Sequence, residues 1–347
     1  MTTQPEDPQQ SHLRHRLLSL DDLGNLPPTK PLIDGLLYRD TLAQLSGGPG
    51  TYKTFLALTM GCCLATGEPF GDFDVPEKGT VIYVAAEGAG DMEKRILAWC
   101  EVWEIDPDIL RDRLFVLPLP IQLGKEADVS ETVEVVQEKQ ADMLVLDTRA
   151  RCTLGMDENN ATEQGWAIHA ADRIRTVGGC AVVGVHHTPR SGSAGRGSNA
   201  WDGAIWSDLR VEGDGLHAKI HCEKHKDVAS NCDHHFSLQR HTVSKELMPR
   251  TILAKERETL VMSRTLPDLT RRRASARQKI LNLIWTIAPP EGFAEPTLRE
   301  MAECSRTSVY DATSWGVEQG YLSNTGSQRR SSWVRGDKRP PWLPPEN

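Results

Sequence analysis

The stretch LSGGPGTYKTFLAL, residues 45 to 58, sets Gly47, Gly48, Pro49 and Gly50 ahead of Lys53 and Thr54, the residue types from which a phosphate-holding loop is made. Of the pattern G-x-x-x-x-G-K-[ST], Gly47, Lys53 and Thr54 fit, while Tyr52 stands where a second glycine is usual. Backbone amides of Gly48, Gly50, Tyr52 and Lys53 would converge on phosphate oxygens, aided by the positive end of the helix that follows. Pro49, Thr51 and Phe55 complete the expected cradle. Lys53 would reach the β and γ phosphates of a nucleotide, and Thr54 would ligate Mg2+. Tyr52 offers the same amide that glycine would; what it puts at stake is steric room and a positive φ. If Tyr52 already lies in the first helical turn, its φ is negative and its ring points outward. The plain alternative is a glycine-rich turn carrying a chance Lys-Thr pair.

Three further segments end in groups that complete such a site. ADMLVLD ends in Asp147, a carboxylate able to hold Mg2+ through water. TVIYVAAE ends in Glu87, a candidate general base that orients an attacking water. CAVVGVHHT ends in His186, His187 and Thr188, polar groups suited to sensing a γ phosphate. Acids also end strands simply to cap the next helix, and a lone buried histidine is ordinarily structural. The three ends share one position relative to the loop, outside the strand C-termini where open α/β sheets bind ligands.

The elements that must position these groups follow from the patterning. LAQLSG, TVIYVAAE, RLFVLPLP, ADMLVLDT and CAVVGVHHT are short apolar runs separated by helix-length segments, as strands buried on both faces of a mainly parallel sheet require. The fold class is α/β. After Ala200, two strand-like runs flank Glu212-Gly213-Asp214-Gly215, a hairpin signal, and HFSLQRHTVS adds an antiparallel strand. SRTLPDLTRRRASA lacks a burial pattern and reads as a linker. Beyond it, ARQKILNLIWTIA carries an apolar face at Ile280, Leu283, Ile284 and Ile287, PTLREMAECS begins with a capping box from Thr297 to Glu300, and Ser305 is placed to cap RTSVYDATSWGVEQ. With the hairpin that follows, this is the order of a winged helix. The expected division is a disordered 1–18, an ATP-handling α/β domain over 19–255, a linker over 256–274, a winged helix over 275–336 and a disordered tail over 337–347.

Composition narrows the class. The longest apolar run, FLALTMGCCLATG, is too short to span a bilayer, and the first twenty residues have no apolar centre of a secretory signal. Eight cysteines without a C-x-x-C pair read as reduced thiols of a cytoplasmic protein. Cys222, His225, Cys232, His234 and His235 match no common structural zinc spacing. The net charge is −8, but residues 264 to 339 carry thirteen Arg and Lys against eight Asp and Glu, leaving −13 elsewhere. That basic end is either a polyanion-binding module or a solvated tail.

Taken in order, LIDGLLYRDTLAQLSGGPGTYKTFLAL, VIYVAAEGAGDMEKRI, LVLDTRARCTLGMDENNATEQG, VVGVHHTPRSGSAGRGSNA and EKHKD resemble the RecA-type ATPases of the plasmid RepA helicase family and its relatives in phages and mobile elements. The resemblance covers about residues 18 to 240. It implies a RecA-like core, ATP and Mg2+ as cofactors, Glu87 as base, Asp147 as the metal-side acid, a sensor at His186 and His187, and a ring, hexameric in the family. It also implies a cation donated across the ring interface. An ungapped comparison puts Trp206 at the family's arginine finger, so that role falls to Lys224 and Lys226. In such rings the loops after the acid and sensor strands face the central channel, which assigns single-stranded DNA to Arg149, Arg151, Arg190 and Arg196. The winged helix adds Arg306, Thr307, Ser308 and Tyr310 at its third helix and Arg329 and Arg330 on its wing as duplex contacts. Three functions follow: a replicative helicase or translocase meeting a primase or initiator; an ATP-switched protein that binds origin DNA or loads a helicase without unwinding; or a winged-helix regulator with a degenerate ATPase.

Overall fold

The computed structural model describes residues 17–26, 28–188, 200–226, 232–264, 280–302, 306–326 and 331–340. The chain divides into two compact units, Met1–Leu266 and Pro267–Asn347.

In the first unit, a short helix α1 (Leu20–Gly24), closed by a Ser19–Asp22 capping box, precedes a small antiparallel pair β1 (Pro31–Ile33) and β2 (Leu37–Tyr38). Strands and helices then alternate: β3 (Leu42–Gly47), α2 (Lys53–Thr66), β4 (Val81–Ala85), α3 (Met92–Trp103), β5 (Leu114–Leu117), α4 (Glu126–Glu138), β6 (Met143–Asp147), α5 (Ala161–Gly178) and β7 (Ala181–His187). After α6 (Ala200–Ala204) come β8 (Ser207–Asp214), β9 (His217–His225) and β10 (Cys232–Thr242), then α7 (Ala254–Arg257) and β11 (Glu258–Met262). The α/β class expected from the apolar runs is borne out. Every residue of β3, β4 and β6 is buried, because helices cover both faces of a sheet whose strands therefore need apolar side chains in both directions.

The nine strands run in the order β11-β10-β9-β8-β3-β7-β6-β4-β5. Strands β5, β4, β6, β7, β3 and β8 are successively parallel, and β8 to β11 form an antiparallel extension. Two apolar layers sandwich the sheet. One joins α2 and α3 through Leu56, Met60, Leu64, Trp99 and Trp103; the other joins α4 and α5 through Val129, Val133, Ala167 and Ile174. The order sets the site: β7 lies between loop strand β3 and acid strand β6, and β6 lies beside β4.

The expected linker begins too early. Residues 256–262 are helix and strand, since β11 pairs with β10 from Leu238–Met262 to Thr242–Glu258 and completes the sheet edge. Trp103 donates its indole N–H to the Met262 carbonyl at 2.9 Å, and Arg264 bridges Glu68 at 2.7 Å and the Trp103 carbonyl at 3.0 Å. The α/β unit thus runs past residue 255, because Val261 and Met262 supply a buried face that their polar neighbours hide in the sequence.

The second unit, described by itself, holds a helix α8 over 280–287, β12 (Phe293–Ala294), α9 (Glu295–Ala302), α10 (Arg306–Glu318), β13 (Leu322–Asn324) and β14 (Ser332–Arg335), with β14 central in a three-stranded sheet. Its core gathers Ile280, Leu281, Ile284, Leu298, Val309, Ala312, Leu322 and Trp333. Leu281 rather than Ile287 lies inside; Ile287 is 52% exposed. The helix expected to be capped at Thr297 starts instead at Glu295, with Pro296 in the first turn where its missing N–H costs nothing. Ser305 and residues 341–347 lie outside the described residues, as do 1–16.

Burying Val261 and Met262 is worth about 1.5–3 kcal/mol each. A chain ending at Leu266 is therefore expected to melt cooperatively near the full-length transition of the first unit, whereas one ending at residue 255 melts many degrees lower or fails to fold, as read by circular dichroism.

Candidate functional site

The phosphate loop is built at the C-terminal end of β3. Gly47 has φ 157°, and a Cβ there would stand 2.3 Å from the Val211 carbonyl oxygen, so β8 leaves no room for a side chain. Gly50 takes φ 77°. Tyr52 corrects the sequence reading: it caps α2 from outside with φ 70° and ψ 18°, the left-handed conformation a glycine would adopt, instead of sitting in the first turn with negative φ. Such a conformation costs roughly 1–2 kcal/mol in a residue with a Cβ. Two contacts offset it. The Tyr52 hydroxyl donates to the Gly215 carbonyl at the tip of the β8–β9 hairpin, a hydrogen bond worth about 0.5–1.5 kcal/mol. Its ring lies over Gly213, where an added Cβ would come within 3.4 Å of the ring and 3.0 Å of Thr51 Cα.

Lys53 opens α2 and is buried. Its Nζ donates to the carbonyls of Gly47 at 2.8 Å and Gly48 at 2.6 Å and to Thr51 Oγ1 at 3.3 Å, so the ammonium sits among the loop's own oxygens. Burial pulls its pKa down to about 8, against the attraction of Asp147. Asp147 is 4% exposed at the end of β6. Burial raises its pKa, while hydrogen bonds from the Tyr83 and Thr54 hydroxyls act the other way. Among the described residues no group of three or more His, Cys, Asp or Glu could hold a metal, although Cys232 Sγ lies 3.2 Å from His234 Nε2. A threonine hydroxyl touching a buried carboxylate at a helix start fits Mg2+, which takes one or two protein oxygens and fills its octahedron with phosphate and water.

Glu87 follows β4, whose Ala85 is level with Asp147; the Ala86 N–H donates to the Asp147 carbonyl at 2.8 Å. The base candidate thus stands beside the acid at the same sheet edge. Its Oε1 accepts from Arg151 Nε at 2.7 Å, which places Arg151 in the site's electrostatics rather than free in a loop. The two histidines separate because successive strand residues point to opposite faces. His187 is level with Gly47 and shares the field of Lys53, Glu87 and Asp147; burial, then Lys53, lowers its pKa. His186 turns to the other face, where burial and then Arg149 push its pKa down to about 3, and its Nδ1 has no hydrogen-bond partner among the described residues. The Thr188 N–H donates to the Gly47 carbonyl at 3.0 Å.

Arg149 also corrects the sequence reading. It is 8% exposed, donates to Gln44 Oε1 at 2.5 Å and lies over the Trp201 ring at 4.5 Å, so it braces the turn after β6 and offers nothing to a channel. Gly184 lies alongside, where an added Cβ would make ordinary contact with Arg149 Cδ at 3.7 Å. Lys224 and Lys226 are not brought to this chain's own loop: Lys224 pairs with Asp208, itself level with Gln44 early in β3, and its Nζ donates to the Asp202 carbonyl at 2.6 Å. Lys226 Nζ stands 5.2 Å from the Trp206 ring centre. Arg190, Arg196, Arg329 and Arg330 lie outside the described residues, and so does the side chain of Thr307. On α10, Arg306 and Tyr310 are exposed and stacked at 5.6 Å, while Ser308 is half-buried. Sequence reasoning missed Tyr83, whose hydroxyl donates to Asp147 Oδ2 at 2.6 Å; its one signal is a polar tip in the otherwise aliphatic run VIYVA.

Two expectations follow. Polyphosphate favours the charged form of Lys53, whose pKa in the empty loop is about 8. Below pH 8 the ammonium is already present; above it, binding must take up a proton, so nucleotide affinity is flat below pH 8 and falls as pH rises beyond it. Titration calorimetry in buffers of different ionisation enthalpy should show proton uptake near pH 9 that Lys53→Ala removes. Gly213→Ala is expected to weaken nucleotide binding several-fold by displacing Thr51 and Tyr52, measured with a fluorescent nucleotide, with little change in melting temperature.

No curated protein matches the chain. Similar solved structures include the RadB recombinase, at 17% identity and a TM-score of 0.43 over 57% of this chain and 87% of that one. Another is a KaiC-like protein of Pyrococcus horikoshii OT3, at 16% identity and a TM-score of 0.44 over 61% of this chain and 94% of that one. Residues 7–193, more than half the chain and the whole span from the loop through the sensor strand, match the AAA_25 family of AAA domains. The chain belongs to that AAA domain family of ATPases.

Proposed function

We propose that this protein is a Mg2+-dependent ATPase that works on DNA as a ring, hexameric by its resemblance to the RepA type, and serves as a replicative helicase or translocase of a plasmid, phage or mobile element. The observation that supports the hydrolytic reading is the convergence of Lys53, Thr54, Asp147, Glu87 and His187 at the ends of β3, β6, β4 and β7. Lys53 leaves the loop carbonyls for the β and γ phosphates, and the loop amides hold the remaining oxygens. Glu87 takes the proton of a water lined up on the γ phosphate. Thr54 and Asp147 would hold Mg2+, which when bound neutralises charge on the β and γ oxygens. His187 stands where a side chain can register whether the γ phosphate is present. Lys224 and Lys226, remote from their own loop, suit a cation donated to another subunit's nucleotide.

Arg151 joins hydrolysis to DNA in this reading. Its guanidinium occupies Glu87 Oε1, an oxygen that a water would otherwise use; a DNA phosphate competing for Arg151 would free it. Steady-state ATP hydrolysis is the test, with and without single-stranded DNA. Wild type is expected to be stimulated several-fold, Lys53→Ala and Glu87→Gln to lose about 100-fold or more, as removal of a transition-state group does, and Arg151→Ala to raise the DNA-free rate while losing the stimulation. No hydrolysis in any assembly state would sink the motor reading.

One observation favours a second reading. The separate second unit exposes Arg306 and Tyr310 on α10, the third helix of a winged-helix order, as a module reading origin duplex would. An ATP-switched origin binder or helicase loader, meeting a primase or initiator, would bind a specific duplex and separate no strands.

A further inference from the structure

The metal-side carboxylate cannot orient itself. A strand-terminal aspartate has two side-chain torsions, and an acid that must meet a small, strictly octahedral cation needs its plane fixed before the cation arrives. We propose that Tyr83 is the positioning residue that fixes it: the hydroxyl donates to Asp147 Oδ2 and leaves the other carboxylate oxygen to the cation and its waters. The inference rests on the ATPase reading.

The geometry is specific. Tyr83 lies on β4 and is level with Val145 of β6, two residues before Asp147, so its ring runs along the strand pair toward the acid. The ring is fully buried, yet its oxygen is 2.6 Å from Asp147 Oδ2 and 3.5 Å from the Thr54 carbonyl. The hydroxyl therefore stands between the first turn of α2 and the end of β6, the two elements that would share the metal. A tyrosine placed only to fill the core would be replaced by phenylalanine or leucine without loss, since the layer that holds it is largely apolar, with Leu56, Met60, Val145 and Val183 among its members. Of the two polar groups that its hydroxyl reaches, the Asp147 carboxylate is the closer, and Tyr83 meets it. Partners that orient metal ligands in this way govern metal affinity more than they govern stability.

Tyr83→Phe removes one oxygen and keeps the ring. Nucleotide binding without metal depends on Lys53 and the loop amides and is expected to stay within twofold of wild type, read with a fluorescent ADP. The Mn2+ concentration that half-saturates the ADP complex, read by the electron paramagnetic resonance of bound Mn2+, is expected to rise on the order of 10-fold. In hydrolysis the same shift appears in the metal half-saturation, with kcat at saturating metal within about threefold of wild type. Val145→Ala is the control for packing: it removes buried carbon from the facing strand, lowers the melting temperature and leaves the Mn2+ midpoint unchanged. A Tyr83→Phe midpoint equal to wild type, or one moved no further than Val145→Ala moves it, overturns the assignment. A wild-type chain whose ADP binding ignores Mn2+ overturns the ATPase reading and the assignment together, so the two failures are told apart by the wild type alone.

Discussion

Holding Lys53 and Asp147 out of water beside each other is the constraint on which the site depends. Burial works against the charge on both, lowering the pKa of the lysine to about 8 and raising that of the aspartate. Each charge survives through oxygens or hydroxyls fixed by the backbone: the Gly47 and Gly48 carbonyls for Lys53, and the Thr54 and Tyr83 hydroxyls for Asp147. A parallel sheet with helices on both faces delivers these groups to one edge, dry on the sides and open at the strand ends. The strand order then does the sorting. With β7 inserted between β3 and β6, a histidine comes between the phosphate loop and the acid, and β4 brings a second carboxylate to the acid's far side.

Much of this was legible because buried parallel strands must be apolar throughout. Five runs of that kind located β3, β4, β5, β6 and β7, and the polar residues that ended three of them located Glu87, Asp147 and His187. Face and contact were less legible. Nothing local in TRARC tells that Arg149 folds inward while Arg151 folds outward; that depends on Gln44 and Trp201, residues distant in sequence that hold its guanidinium. In the same way the two adjacent histidines looked equivalent until the pleat set one against the loop and the other beneath the sheet. The edge strand β11 was hidden because ETLVM follows a charged stretch and is anchored by Trp103, a partner far along the chain.

Tyr52 shows how far a local rule reaches. The rule that a bulky residue avoids positive φ led to a helical placement, and tertiary contacts reversed it. The hydroxyl on Gly215 and the ring on Gly213 supply from outside what glycine would have supplied from within. The loop is therefore not self-contained. Its conformation is shared with the antiparallel hairpin, so the phosphate cradle and the extension that carries Lys224 and Lys226 form one mechanical piece.

That sharing also bears on how such a chain can change over generations. The Tyr52 ring rests on Gly213, and its hydroxyl uses the Gly215 carbonyl. Glycine at 52 would give up both contacts, yet an added Cβ at 213 would still stand 3.0 Å from the Thr51 Cα. Residues 52 and 213 thus meet across 161 positions of sequence, yet the Thr51 backbone demands glycine at 213 first, and Gly47, pressed against the Val211 carbonyl, has no more freedom.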